Sequence, residues 1–323
     1  MLFGAIDVGT NSIHLIVVEF EEGLASARVV YKAREMVRLG SGDARARGEL
    51  DPQSIERGVA AIARFVDSAR ARGADHIRAV ATSAVREASN AERFVRAVEQ
   101  VTGVRVEVLG ELDEARLIYE GVAGGFPIYD RVVCILDIGG GSTEFVTPAA
   151  DGQPGLTALS VDIGCVRLTE RHLHADPPEA AQVAAATADI DAALAAVAGA
   201  IPVSSARTLV GLAGSVTTLT AVALDLPAYD PARVHHAWIS AERVHEVTDR
   251  LLRSGHAERA AIGAIHPGRV DVIGAGALIL DRIMARFGFT EFVASEHDIL
   301  DGIAWSIVRP GVLGDLGGSA GAR

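Results

Sequence analysis

The sequence predicts an α/β protein made of two related halves, and three observations carry that prediction. Strand-like and helix-like patterns alternate along the whole 323 residues, a length that suggests about two domains. One unusual hairpin pattern occurs twice: Ala5-Ile6-Asp7-Val8-Gly9-Thr10-Asn11-Ser12-Ile13-His14-Leu15 and Val133-Cys134-Ile135-Leu136-Asp137-Ile138-Gly139-Gly140-Gly141-Ser142-Thr143-Glu144-Phe145. Asp7 then matches Asp137, Gly9 matches Gly139 and Ser12 matches Ser142. A third glycine turn, Gly211-Leu212-Ala213-Gly214-Ser215, again follows an apolar run. Together these suggest two half-molecules facing each other across a phosphate site.

Taken in order, residues 4–20 read as a two-stranded hairpin that 27–39 extends, with Lys32, Arg34 and Arg38 close together. Residues 41–47 are a polar loop carrying Arg45 and Arg47. Asp51-Pro52 is a helix start with proline at the first helical position, and Ile55, Val59, Ile62, Phe65 and Val66 keep helical spacing. A strand over 76–82 ends at Ser83-Ala84-Val85-Arg86, Asn90 caps a helix to about Val101, and a strand over 104–109 precedes a helix over 113–122. The glycine-rich joint at 123–127 divides the chain into 1–123 and 124–310, with a frayed tail at 311–323 and a last helix that can pack back on the first domain. Beyond the central hairpin come a strand over 155–162, a helix from Arg167, and an alanine-rich helix opened by Pro177-Pro178 and reaching about Ala200. A strand over 207–212, helices over 215–224, from Ser240 and over 269–286, and a short strand at 292–293 complete the series.

Composition narrows the function. A net charge of −12 argues against a general nucleic-acid binder, whose affinity rests on basic side chains neutralising phosphates. It leaves room for a polyanion held in a locally basic cleft. No apolar stretch is read as reaching the roughly 18 residues of a membrane helix, so no membrane partner is expected. Met1-Leu2-Phe3-Gly4 runs directly into the first strand, with neither a basic leader nor a cleavage site, which predicts a cytoplasmic protein. Cys134 and Cys165 suit a reducing compartment and are read as packing residues.

The hairpin carries chemistry. Consecutive glycines let backbone N–H groups approach an anion with no Cβ in the way. Ser142 and Thr143 add hydroxyl donors. Asp137 and Glu144 are out of place beside an anion unless a divalent cation or a reacting water lies between them and a phosphate. The bland alternative is that Asp7 and Asp137 only cap their own turns. No histidine pair has metal-ligand spacing, so His14, His235, His236, His266 and His297 are read as structural. Without an activated serine or cysteine, direct attack by water is favoured over a covalent intermediate.

In that order the motifs AIDVGTNSIHLIV, KAREMVRLGSG, AVATSAVREASN, GELDEARLIYEGV, LDIGGGSTEFV, LSVDIGCVRLTE, GLAGSVTTLTAV, RVDVIGAGALIL and VASEHDILDGIA resemble the exopolyphosphatase/guanosine pentaphosphate phosphohydrolase (Ppx/GppA) family over residues 4 to about 308. The resemblance implies two actin-like (ribonuclease H-like) domains with a cleft between them, in the short form without a helical C-terminal extension. It implies an exopolyphosphatase releasing orthophosphate from inorganic polyphosphate, with pppGpp hydrolysis, and so a link to the stringent response, as the nearest alternative and a sensor as the non-enzymatic one. Glu114, directly before Ala115-Arg116, matches the general base; read alone it would be a solvated carboxylate or a partner of Arg116. Asp7, Asp137 and Glu144 match the carboxylates that hold Mg²⁺ (Mn²⁺ as a substitute), with Asp137 and Glu144 also positioning the water. Thr10, Asn11, Ser12, Gly139, Gly140, Gly141, Ser142 and Thr143 match the phosphate cradle, Arg86 a phosphate-binding arginine, and Gly214 and Ser215 donors at a helix N-terminus. Arg38, Arg45 and Arg167 are weaker candidates for guiding the rest of the substrate. The Ile299-Leu300-Asp301-Gly302 segment lacks an arginine that many relatives have. A homodimer is left open.

Overall fold

The computed structural model describes residues 1–20, 27–40, 48–123, 133–149 and 155–308. Arg45, Arg47, the joint from residue 124 to 127 and the 311–323 tail lie outside them. The elements run β1 (Leu2–Val8), β2 (Ser12–Phe20), β3 (Ala27–Met36), α1 (Pro52–Arg70), β4 (His76–Ala81), α2 (Ser83–Arg86), α3 (Ala91–Thr102), β5 (Val106–Val108) and α4 (Glu111–Ala123). They continue as β6 (Val133–Ile138), β7 (Thr143–Pro148), β8 (Leu156–Val161), α5 (Cys165–His172), α6 (Ala180–Ala200), β9 (Thr208–Leu212), α7 (Ala213–Ala223), α8 (Pro231–Val234) and β10 (Trp238–Ser240). The last are α9 (Ala241–Arg253), α10 (His256–Ala260), α11 (Ile273–Phe287), β11 (Glu291–Ala294) and α12 (Ile299–Val308). The chain divides into two compact units, Met1–Phe126 with His297–Arg323, and Pro127–Glu296.

The first unit holds a five-stranded sheet in the order β3-β2-β1-β4-β5. β1 pairs antiparallel with β2, from Leu2↔Glu19 to Val8↔Ile13, and parallel with β4. Ile6, Val8, Ile13 and Leu15 are fully buried, as β-branched and apolar residues are in strands covered on both faces. α1 begins where predicted: the Asp51 carboxylate accepts from Ser54 N at 3.0 Å, and Pro52 occupies the first turn. Asn90 stands at the start of α3, but its side chain accepts from Leu50 N and donates to Leu50 O, 2.8 and 2.9 Å away, and does not cap the helix. α12 packs on α4 with backbones nearly touching; a Cβ on Gly302 would lie 1.9 Å from the Leu117 carbonyl oxygen, and one on Gly121 2.0 Å from that of Asp298. Only glycine permits that approach.

The second unit holds a six-stranded sheet in the order β10-β11-β9-β6-β7-β8. Reading β6, β7, β8, β9 and β11 as β1, β2, β3, β4 and β5 reproduces the first sheet, with β10 added at the edge. The hairpin is antiparallel in both, and the later strands join in parallel. The ribonuclease H-like strand order is thus present twice.

Several boundaries differ from the sequence reading. The helix expected over 269–286 begins at Ile273, because Pro267–Arg269 forms a separate 3₁₀ turn. β10 was not anticipated; three residues are too few to show a period. α6 starts at Ala180, after the prolines, with Gln182 Oε1 accepting from Glu179 N at 3.1 Å. This helix also corrects the expectation about apolar stretches: at 21 residues and mean hydropathy 1.5 it is long and apolar enough to cross a membrane. Alanine makes up that hydropathy. Within the unit, Ala186, Ile190, Leu194 and Val197 are buried in the core, while Asp189 pairs with Arg171 and His172, and Asp191 with Arg282.

Candidate active site

In the first unit the turn between β1 and β2 is closed by Gly9 N donating to Ser12 O at 3.1 Å. Its carbonyls are tied from behind: Thr10 O accepts from Gly40 N at 3.0 Å, and Asn11 O accepts from Val37 N and Arg38 N at 3.1 and 2.8 Å. β3 therefore stops at Met36, and Arg38 adopts the left-handed φ of 53° to make its bond. With the carbonyls held, Thr10 N and Asn11 N make no intramolecular hydrogen bond among the described residues. Thr10 is buried, its hydroxyl 2.9 Å from that of Ser83 at the start of α2. At the other end of α2, Arg86 Nη1 donates to Glu114 Oε2 at 2.5 Å and to Leu109 O at 3.2 Å.

Glu114 lies in the first turn of α4 and is only 5% exposed. Burial raises its pKa above the ordinary carboxylate value; the Arg86 guanidinium opposes that rise and Glu111 adds to it. Neither residue-level alternative holds. The carboxylate is not solvated, and Arg116 pairs with Asp113, at 3.6 Å. Thr10, Ser83, Arg86 and Glu114 thus form one chain of neighbours, which joins the turn predicted to hold phosphate to the predicted base.

In the second unit the β6–β7 turn repeats this construction with a different anchor. Gly139 N donates to Ser142 O at 3.0 Å, as Gly9 does to Ser12. The carbonyl anchors are now the N-terminal residues of α5: Cys165 N binds Gly139 O at 3.0 Å, and Val166 N and Arg167 N bind Gly140 O at 2.9 and 3.0 Å. Arg167 Nε adds a bond to Gly141 O at 2.6 Å. The fit needs Gly164, where a Cβ would lie 2.4 Å from the carbonyl carbon and oxygen of Gly140. Gly140 N, Gly141 N and Ser142 N make no intramolecular hydrogen bond among the described residues. These N–H groups, like those of Thr10 and Asn11, are the donors that the sequence reading assigns to phosphate.

Asp137 and Glu144 are direct cross-strand partners, and the next strand places Ser160 opposite Glu144. Ser160 Oγ donates to Glu144 Oε1 at 2.9 Å. Like charges directly opposite each other destabilise a sheet by roughly 0.2–1 kcal/mol, a cost that a cation relieves. In the first unit the corresponding row is Asp7, His14 and Arg34. His14 takes the register position of Glu144, and its Nε2 lies 2.7 Å from Ser12 Oγ. The sequence reading set His14 aside, although aligning the two repeats places it on Glu144.

Four further predicted residues make contacts that the sequence did not show. Thr143 is fully buried and its hydroxyl donates to Ile163 O at 2.5 Å, so it braces the hairpin. Arg167 is tied to Gly141 O and, at 3.2 Å, to Asp162, and so holds the turn in place. Ser215 packs so closely on α11 that a Cβ on Gly276 would lie 2.6 Å from its oxygen. Gly214 is covered by Arg269, which sequence reasoning missed: Arg269 Nη1 donates to Gly214 O and Thr218 Oγ1 at 2.9 and 3.0 Å. Nothing in the spacing of a residue 55 positions away signals that contact. Among the described residues no three His, Cys, Asp or Glu side chains gather as a metal-ligand set.

Comparison with known proteins gives the family. The Ppx/GppA phosphatase family matches residues 16–309. Exopolyphosphatase 2 of Mycobacterium tuberculosis is 38% identical over 315 residues, covering 94% of this chain and 97% of that protein. Among solved structures, an exopolyphosphatase-like protein superposes with a TM-score of 0.88 at 35% identity, over 96% of this chain and 99% of that one. The Aquifex aeolicus Ppx/GppA family member superposes with a TM-score of 0.79 at 28% identity, over 95% and 97% of the two chains. The chain belongs to the Ppx/GppA phosphatase family.

Proposed function

We propose that the protein is an exopolyphosphatase, a phosphoanhydride hydrolase that removes orthophosphate from the end of inorganic polyphosphate, acting in the cytoplasm. The observation that carries this reading is the repeated turn with its carbonyls anchored from behind and its N–H groups left for an anion, in a protein that also holds a buried carboxylate, Glu114, linked to the first such turn through Arg86 and Ser83. Within each unit, N–H groups of the turn, with the Ser12 or the Ser142 hydroxyl, offer donors to non-bridging phosphate oxygens. Glu114 accepts the proton of the attacking water. The leaving group is a phosphate oxygen and needs little protonation, so orientation and charge stabilisation supply most of the rate.

Asp137 and Glu144 would hold Mg²⁺, or Mn²⁺ in its place. The opposed carboxylates of the second hairpin fit an ion that takes one or two protein carboxylates and completes its shell with water and substrate oxygens. Bound there, the ion would neutralise charge on the phosphates. The reading is tested by orthophosphate release measured side by side on tripolyphosphate, long polyphosphate, pppGpp and ATP. Polyphosphate is expected to give the highest kcat/KM; a preference for pppGpp or ATP would overturn it.

A further inference from the structure

Arg86 has one predicted partner, a phosphate, and one observed in the structure, Glu114. One guanidinium nitrogen, Nη1, serves both Glu114 Oε2 and Leu109 O. The side chains are unequally sealed: Glu114 is 6% exposed and Arg86 21%. Arg86 therefore reaches solvent while the carboxylate it holds does not. Its helix, α2, has only four residues, and the hydroxyl at its first position touches the phosphate turn through Thr10. One end of this short element contacts the cradle and the other contacts the base.

We propose that Arg86 serves these partners in succession: its guanidinium holds Glu114 in the substrate-free protein and passes to the terminal phosphoryl group when polyphosphate binds, so that substrate itself releases Glu114 to the water. The proposal rests on the hydrolase reading above and assigns Arg86 as a positioning residue for the base. A carboxylate tied to a guanidinium is a weak proton acceptor, and a buried one relieved of that cation is a stronger one. A phosphoryl group offers the guanidinium fork two oxygens and more negative charge than a carboxylate does. The exchange is unfavourable without substrate, since it would leave Glu114 buried and unpaired. Besides Arg86, Glu111 on the same helix acts on Glu114. The segment packed against α4 brings Asp298 near Gly121, and carries Asp301 paired with His297.

The test is a double-mutant cycle read by binding, with imido-tripolyphosphate, in which NH replaces the bridging oxygens, as probe. Glu114→Gln frees Arg86 and is expected to tighten the probe roughly fivefold or more when Arg86 is present, a coupling in the range found for contacting residues. In an Arg86→Gln background the same change is expected to alter Kd less than about twofold. Equal tightening in both backgrounds would show simple removal of a negative charge and would overturn the proposal, as would no tightening in either. Arg86→Lys provides a second background if Arg86→Gln does not fold. The pH profile is an independent readout. The acid limb of kcat, which reports the substrate complex, is expected at higher pH than that of kcat/KM, which reports the free protein, and Arg86→Gln should raise the latter. Coincident limbs, unmoved by the substitution, would also overturn it. A flat binding cycle with normal polyphosphate turnover removes the exchange alone; a coupled cycle with no phosphoanhydride turnover removes the hydrolase reading.

Discussion

Gly164→Ala is the sharpest test of how the second turn is built. The added Cβ would sit 2.4 Å from the carbonyl carbon and oxygen of Gly140 and 2.5 Å from that of Gly141, all backbone atoms that no rotamer change can move. Relief requires α5 and the turn to separate. That breaks the bonds from Cys165 N to Gly139 O and from Val166 N and Arg167 N to Gly140 O. At about 1 kcal/mol for each of three bonds the loss is about 3 kcal/mol. For a unit the size of Pro127–Glu296, each kcal/mol moves the midpoint by about 2–4 °C, so the expected fall in Tm is about 6–12 °C. The freed turn would shift its N–H groups by an ångström or more, enough for about a 10²-fold loss of kcat/KM. Calorimetry and phosphate release below the lowered Tm separate the two effects. Gly199→Ala is the control: nothing lies within 4 Å of its Cβ position near the end of α6, and it should leave both quantities nearly unchanged. A Gly164→Ala protein with native Tm and activity would refute the anchoring argument.

Glu114→Gln is expected to lower kcat by about 10²–10⁴-fold, the range of general-base catalysis, and retention of more than about a tenth of wild-type kcat would remove Glu114 as the base. EDTA is expected to stop phosphate release, Mg²⁺ or Mn²⁺ to restore it, and Asp137→Asn to raise the metal concentration required; full activity in metal-free buffer would show that the opposed carboxylates serve another purpose. The last prediction concerns pH and stability. His297 Nδ1 lies 3.0 Å from Asp301 Oδ1, and the hydrogen bond to Asp301 raises the histidine pKa against an opposing effect of burial. A raised folded-state pKa means stabilisation that is complete below the unfolded value of about 6.5 and is lost as pH rises through the folded value. Asp301→Asn should therefore lower Tm more at acidic than at alkaline pH; a pH-independent difference would show that the pair is not charged.

The repeated hairpin was legible because its chemistry is local. Aspartate, glycine and serine at fixed offsets determine a turn within eight residues, and the register of both hairpins follows from that spacing. The α/β class was legible because strands buried on both faces read as apolar runs. What stayed hidden depends on contacts distant in sequence. Asn90 looks like a helix cap until Leu50 is folded beside it. Thr143 looks like a phosphate donor until Ile163 O takes its hydroxyl. Arg269 looks like the first residue of a helix until its guanidinium is found over Gly214.

The two hairpins show why a repeat is a better guide to binding than to catalysis. Both turns retain the glycine, two residues after Asp7 or Asp137, whose N–H closes the turn on a serine carbonyl. The anchors are unrelated: residues 37–40 after an edge strand in one unit, the first turn of a helix in the other. An anchor only has to donate to carbonyls, and backbone N–H groups do so whatever the sequence, so nothing preserves its residues except where space runs out, as at Gly164. The next strand position has diverged instead. Glu144 faces Asp137 and takes a hydroxyl from Ser160, while His14 faces Asp7 and meets Ser12. A pair of carboxylates suits a cation, and an aspartate facing histidine does not need one. The geometry thus keeps the same turn in both units and gives them unequal side chains: opposed carboxylates on the second hairpin, and the buried Glu114, linked through Arg86 and Ser83 to the first.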